Sequence, residues 1–148
     1  MRELDPAAEF EGIGARAMRA AGFRIWMDHT GWASMGPLAA IPRIPKLLAA
    51  MLRTAGHLAA TKPDLIVLVD FGVFNLRLAN TLRRRLRYAG AILDLFPPGT
   101  WLDNEEKARN VSAVSFPLTA FAHQYEFYRS IGCRIAYFGH PFANRYEM

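Results

Sequence analysis

The 148-residue chain is 52% hydrophobic and 21% charged, the balance of a folded globular domain rather than a disordered one. Its net charge of +5 suits an anionic partner, and a single cysteine, Cys133, excludes an internal disulfide framework and supplies no metal cluster. The opening MRELDPAAEF is too polar for a signal peptide, and no uncharged apolar run reaches the ~18 residues of a membrane span, so a soluble or peripheral protein is expected.

In chain order, Glu11-Gly12-Ile13-Gly14 reads as a strand end and turn, and Gly12-x-Gly14 lacks the third glycine of a dinucleotide fingerprint. From Met35 through Met51, Leu38, Ile41, Ile44, Leu47 and Leu48 are apolar, with Arg43 and Lys46 among them and Arg53 just beyond. An apolar patch flanked by cations suits shallow docking on anionic lipid, although the same spacing fits an amphipathic helix on a core. Pro42 and Pro45 favour an irregular exposed lead-in over a continuous helix.

Leu65–Val69 is an uninterrupted apolar run ending at Asp70, and reads as a central parallel strand buried on both faces. From Phe74 to Arg87 the spacing is helical, with Asn75, Leu78, Ala79, Leu82 and Leu86 sharing one face and Arg77, Arg84 and Arg87 solvated; Gly90 closes this helix. A second strand follows over 91–96, then a loop over 97–102 with the turn chemistry of proline and glycine. Asn104 is placed to cap a helix with Glu105 and Glu106 in its first turn. A third strand over 113–120, a helix over 122–131 and a fourth strand over 133–138 complete the pattern. Strands alternating with helices at this spacing imply βαβ units and a mostly parallel sheet. The chain reads as beginning inside one such unit and stopping, soon after Gly139-His140-Pro141, at a domain edge.

Ligands of open α/β sheets bind at the carboxyl ends of the strands, which directs attention to the loops after Asp70 and Phe96. His29, His57 and His123 have no spacing to acids or cysteine that fits a zinc site, so no metal and no cofactor are expected. Basic residues concentrate in 43–62 and 77–87 without the interleaved aromatics of a single-strand stacking surface, so no nucleic-acid partner is expected.

Four segments in fixed order, GIGARAMRAAGF at 12–23, MGPLAAIPRIPKLL at 35–48, KPDLIVLVDFGVFNLRLA at 62–79 and SIGCRIAYFGHP at 130–141, resemble the lipid-A-disaccharide synthase family. The resemblance spans nearly the whole chain, and the order of the segments carries it. It implies the acceptor-side, N-terminal Rossmann-like half of a GT-B fold, a parallel sheet with flanking helices, with 1–148 as a partial domain cut at both ends and the UDP-sugar domain outside it. It implies a hexosyltransferase that moves an acylated glucosamine from a UDP-sugar to a glycolipid acceptor in lipid A biosynthesis, without a metal, on the cytoplasmic face of the inner membrane. As this stretch alone the protein is expected to be inactive; the alternative is a non-catalytic lipid- or nucleotide-binding domain derived from the fold.

Asp70 matches the family's essential aspartate in its D-x-x-x-F-N pattern, which implies a base for the acceptor hydroxyl. Without the motif, an aspartate at a strand end reads as a brace for the following turn. Phe71 and Asn75 are implied substrate contacts from the same motif, with bracing the stronger reading for Asn75. Met35, Gly36, Trp101 and His140 complete the implied substrate-binding set, and Leu38, Ile41, Ile44 and Leu47 the membrane-contact set. Two departures stand out. Val73 replaces a second acid of the motif, and Asp103-Asn104-Glu105-Glu106-Lys107 replaces a run of basic residues, which puts the usual substrate in doubt.

Overall fold

A computed structural model describes residues 5–30, 44–97 and 104–139. The chain divides into two compact units, Met1–Leu47 and Leu48–Met148. In the first, strand β1 (Glu11–Gly14) pairs in parallel with β2 (Arg24–Asp28) through the short helix α1 (Arg16–Ala20). Glu11–Gly14 is therefore a strand rather than a strand end and turn. Gly14 is required by packing, since a Cβ there would lie 2.3 Å from the Met18 sulfur. Phe10 and Phe23, with ring centroids 5.3 Å apart, and an Arg24–Glu11 ion pair at 2.6 Å hold the ends of the pair together.

Helix α2 (Ile44–Thr61) begins in the first unit and continues into the second. Pro45 sits in its first turn, where the missing N–H has no intrahelical partner to lose, so it opens the helix instead of preventing it. Pro42 lies outside the described residues. The second unit then alternates β3 (Leu65–Val69), α3 (Gly72–Asn80), β4 (Ala91–Leu95), α4 (Glu105–Val114), β5 (Phe116–Thr119), α5 (Ala122–Ser130) and β6 (Ala136–Tyr137). All four strands are parallel, in the order β3-β4-β5-β6, with Leu65 opposite Ala91 and Leu93 opposite Phe116. The expected α/β architecture is present.

One expectation fails in detail. β3 is the outer strand of its four-stranded sheet, and only alternate residues are buried: Ile66 and Leu68 are covered, whereas Val67 is 46% exposed. An unbroken apolar run makes both faces apolar, but it does not say which face the helices cover. Here Met51 and Ala55 of α2, Leu78 and Ala79 of α3, Leu82, and Val114 of α4 form one core with Ile66, Leu68 and Ile92. Leu68→Ala is therefore expected to cost ~2–5 kcal/mol in urea unfolding, whereas Val67→Thr next to it should stay within ~0.5 kcal/mol. Similar losses at both positions would contradict the one-sided core.

The helix expected over 74–87 is also redrawn. α3 ends at Asn80 and continues as a wider π-helical turn, Thr81–Arg85, after which Arg87 adopts a left-handed conformation with φ of 52°. The wider turn changes the helical phase, and Leu86 leaves the buried face that Asn75, Leu78, Ala79 and Leu82 keep. Arg83 turns inward instead, donating to the carbonyls of Tyr88 at 2.6 Å and Val114 at 3.0 Å. Gly90 closes no helix. It leaves room for the Tyr88 ring, whose hydroxyl a Cβ at Gly90 would meet at 2.2 Å and which donates to the Pro63 carbonyl. Asn104 caps α4 as expected, its side chain accepting from the Lys107 N–H at 2.8 Å. The third and fourth strands are shorter than expected, four and two residues.

Candidate functional site

In the second unit the strand ends are tied in steps. The Asp70 N–H donates to the Leu95 carbonyl at 3.0 Å, the Phe96 N–H to Leu118 at 3.0 Å, and the Phe138 N–H to Thr119 at 3.1 Å. These bonds align the residues after β3, β4 and β6 along one carboxyl edge.

Asp70 and Phe71 both take left-handed backbone conformations, each with φ of 49°, and Phe96 does so at 61°. Non-glycine residues pay on the order of 1–2 kcal/mol for this geometry, which persists only where the surroundings enforce it. Asn75 is part of the enforcement. It is buried in the first turns of α3, and its side-chain amide donates to the carbonyl of Asp70. The N–H groups of Phe74 and Asn75 also return to the carbonyl of Phe71. Asp70 itself is exposed, and its side chain is absent from this set of braces. Phe71 is 42% exposed and pairs with Phe74 at 5.5 Å between centroids.

The edge has a second component that sequence reasoning missed. Phe96 stands 6.3 Å from Phe121 and 5.9 Å from Phe138, and Phe121 stands 6.0 Å from His123, an aromatic shelf at the ends of β4, β5 and β6. Behind it, buried Gln124 donates to the Pro97 carbonyl at 3.1 Å and accepts from the Thr119 hydroxyl at 2.6 Å, pinning the start of the loop after β4. The Thr119 oxygen in turn accepts from the Phe121 N–H at 3.0 Å. The signal that was available is a threonine at a strand end five residues before a glutamine in the next helix.

An exposed carboxylate on a braced turn can accept the hydrogen bond, and then the proton, of a hydroxyl brought to it. An aromatic shelf can take the apolar face of a ring or a short apolar segment. Among the other sequence-predicted residues, Ile44 is 51% exposed and Leu47 half-buried in the first turns of α2. Met35, Gly36, Leu38, Ile41, Trp101 and His140 lie outside the described residues. Among the described residues, no group of three or more His, Cys, Asp or Glu could hold a metal ion, and no helix is long and apolar enough to cross a membrane.

A second carboxylate, Asp94, lies inside β4 rather than at its end. It is 1% exposed, neither oxygen has a hydrogen-bond partner, and burial pushes its pKa up to about 7. The buried Tyr128 hydroxyl is likewise unpartnered, and burial, reinforced by the nearby Asp94, raises its pKa. This pair belongs to the core, not to the edge.

Comparison with known proteins agrees with the sequence resemblance. The profile of the family described as lipid-A-disaccharide synthetase matches residues 1–148. The lipid-A-disaccharide synthase of Bordetella petrii is 33% identical over 97% of this chain and 36% of its own length. That of Nitrobacter hamburgensis is 32% identical over 99% of the chain and 37% of its own length. Lipid-A-disaccharide synthase 1 of Legionella pneumophila strain Lens is 28% identical over 98% of the chain and 38% of its own length. The chain spans a little over a third of the length of these relatives.

Proposed function

Because this chain belongs to the lipid-A-disaccharide synthetase family, we propose that it forms the acceptor-side part of a glycosyltransferase, with Asp70 as the base. In this reading 1–148 is part of the N-terminal Rossmann-like domain of a GT-B enzyme. The UDP-sugar donor is held by the part of the relatives' length that this chain does not span. The acceptor hydroxyl of a glycolipid gives its proton to Asp70 while its oxygen attacks the anomeric carbon, and the bond to UDP breaks. One observation carries the proposal: an exposed aspartate follows a core strand on a left-handed turn that a buried Asn75 holds by its backbone, which leaves the carboxylate unspent.

Asn75 serves here as a positioning residue. Phe71 offers an exposed ring beside the carboxylate, and Met35, Gly36, Trp101 and His140 complete the substrate contacts. Peripheral attachment to the cytoplasmic face of the inner membrane through Leu38, Ile41, Ile44 and Leu47 belongs to the same reading, supported by the half-exposed Ile44. An acceptor-side domain should bind the acceptor by itself. Titrating the chain with an acylated glucosamine is expected to shift the amide resonances of Asp70 to Asn75 and of Phe96, and a UDP-sugar should leave them in place. The opposite pattern would assign this edge to the donor.

A further inference from the structure

At the carboxyl edge of the four-stranded sheet, Phe96, Phe121 and Phe138 form a shelf that a base at Asp70 does not by itself require. Phe121 is 38% and Phe138 47% exposed, and Phe96 is half-buried with its ring 6.3 and 5.9 Å from theirs. None of the three belongs to either hydrophobic core. Phe96 keeps a left-handed backbone, and the residue after it is pinned by Gln124, which is buried and bonded to both Pro97 and Thr119. Strain at a non-glycine residue, held in place by a buried polar brace, marks a built site.

β3 and β4 run side by side with Val69 opposite Leu95, so Asp70 and Phe96 leave the sheet at the same level. Neighbouring strands lie ~4.8 Å apart, which starts the shelf one strand spacing from Asp70. The charge of the edge narrows what can rest there. The described residues of the loops after β3, β4, β5 and β6 are 70–71, 96–97, 104, 120–121 and 138–139, and they include no lysine or arginine. Helix starts often take phosphate, but Asp70 precedes α3 by two residues. Glu105 and Glu106 fill the first turn of α4 against a single Lys107.

We propose that the shelf recognises the acceptor by stacking against the face of its sugar ring, and that the acceptor this chain takes carries no phosphate. A glucosamine ring with equatorial substituents turns C–H hydrogens to both faces, and these suit the negative face of a phenyl ring. Its hydroxyls, at the rim of the ring, then come within reach of Asp70. A nucleotide base also stacks on phenyl rings, but it brings phosphates that the carboxylates of this edge oppose. The inference rests on the acceptor-side reading above and adds to it how the sugar is held and what charge it bears.

The test is an NMR titration of the chain with a short-chain N-acyl glucosamine methyl glycoside and with the corresponding 1-phosphate. The neutral sugar should shift the amides of Phe96, Phe121 and Phe138. It should bind roughly fivefold more tightly than the phosphate, the effect of one like charge a few ångströms away in water. Phe121→Leu and Phe138→Leu keep apolar bulk but lose the ring, and each should weaken the neutral sugar roughly 2–10-fold, whereas Phe121→Trp should bind at least as well. Both positions are exposed, so the fold should tolerate the changes, and Phe138→Leu decides alone should Phe121→Leu melt early. Unchanged affinity in the leucine variants overturns the stacking, because an acyl chain would accept leucine equally. Tighter binding of the phosphate overturns the neutral acceptor. In either case, shifts at Asp70 to Asn75 with the sugar would leave the acceptor-side reading standing. Shifts at none of these amides, or with a UDP-sugar alone, would remove both.

Discussion

Raising the pH from 4 to 8 is expected to lower the stability of this fold by up to about 4 kcal/mol, and Asp94→Asn to remove most of that dependence. Asp94 lies on the same face of β4 as Ile92, 1% exposed and without a hydrogen-bond partner. Burial penalises its charged form, so the folded protein keeps the proton up to about pH 7, whereas an unfolded aspartate releases it near 3.8. Between those values the native state binds more protons than the unfolded state, and stability must fall as the pH rises. The loss begins near the unfolded value and is complete once the pH passes the folded one. At ~1.36 kcal/mol for each pH unit between them, it sums to about 4 kcal/mol. Asparagine keeps the shape and cannot ionise. The variant should therefore be the more stable protein at pH 8, by less than the full amount because a buried amide also lacks a partner. Urea midpoints at pH 4, 6 and 8 on both proteins decide it, and parallel pH profiles would remove Asp94 as the source.

Asp94 also marks where the sequence stops being informative. Leu65–Val69 and Ala91–Leu95 are recognisable as strands because apolar runs are bounded by Pro63-Asp64, Asp70 and Gly90, and Asn104 announces α4 through its own local bond. Those signals are short-range. Whether Asp94 is buried depends on which face of β4 the rest of the chain packs over, and an acid inside a strand pattern looks the same on either face. The same holds for Val67, whose exposure reflects the one-sided helix layer. β2 escaped notice because Arg24–Asp28 is only half-buried and bounded by charges, so its alternation is weak. The bend in phase at Thr81–Arg85 has no compositional mark, and it sent Leu86 to the surface.

The candidate site divides in the same way. Asp70 and Asn75 could be picked out because they belong to one motif six residues long, and the structure joins them through the Asp70 carbonyl. Phe96, Phe121 and Phe138 could not, because they converge from three strand ends separated by long stretches of chain. Gln124 behind them looks like an ordinary polar helix residue until its bonds to Thr119 and Pro97 are seen.

The second large effect concerns Asp70. In an enzyme joining this chain to the remaining length of a relative such as that of Bordetella petrii, Asp70→Asn is expected to lower turnover on the order of 10²–10⁴-fold, the usual contribution of a positioned general base. The fold should be nearly unaffected, because the turn is held by the Asp70 backbone carbonyl and N–H, which the substitution keeps. Asn75→Ala should behave differently. It removes the buried amide that holds the turn, so it should lower the melting temperature together with turnover. The central measurement is thus UDP release per folded molecule for Asp70→Asn, with the melting temperature taken on the same sample. A base predicts a large fall in release at an unchanged melting temperature. Release near the unsubstituted rate, or a fall matched by lost folding, would contradict the account.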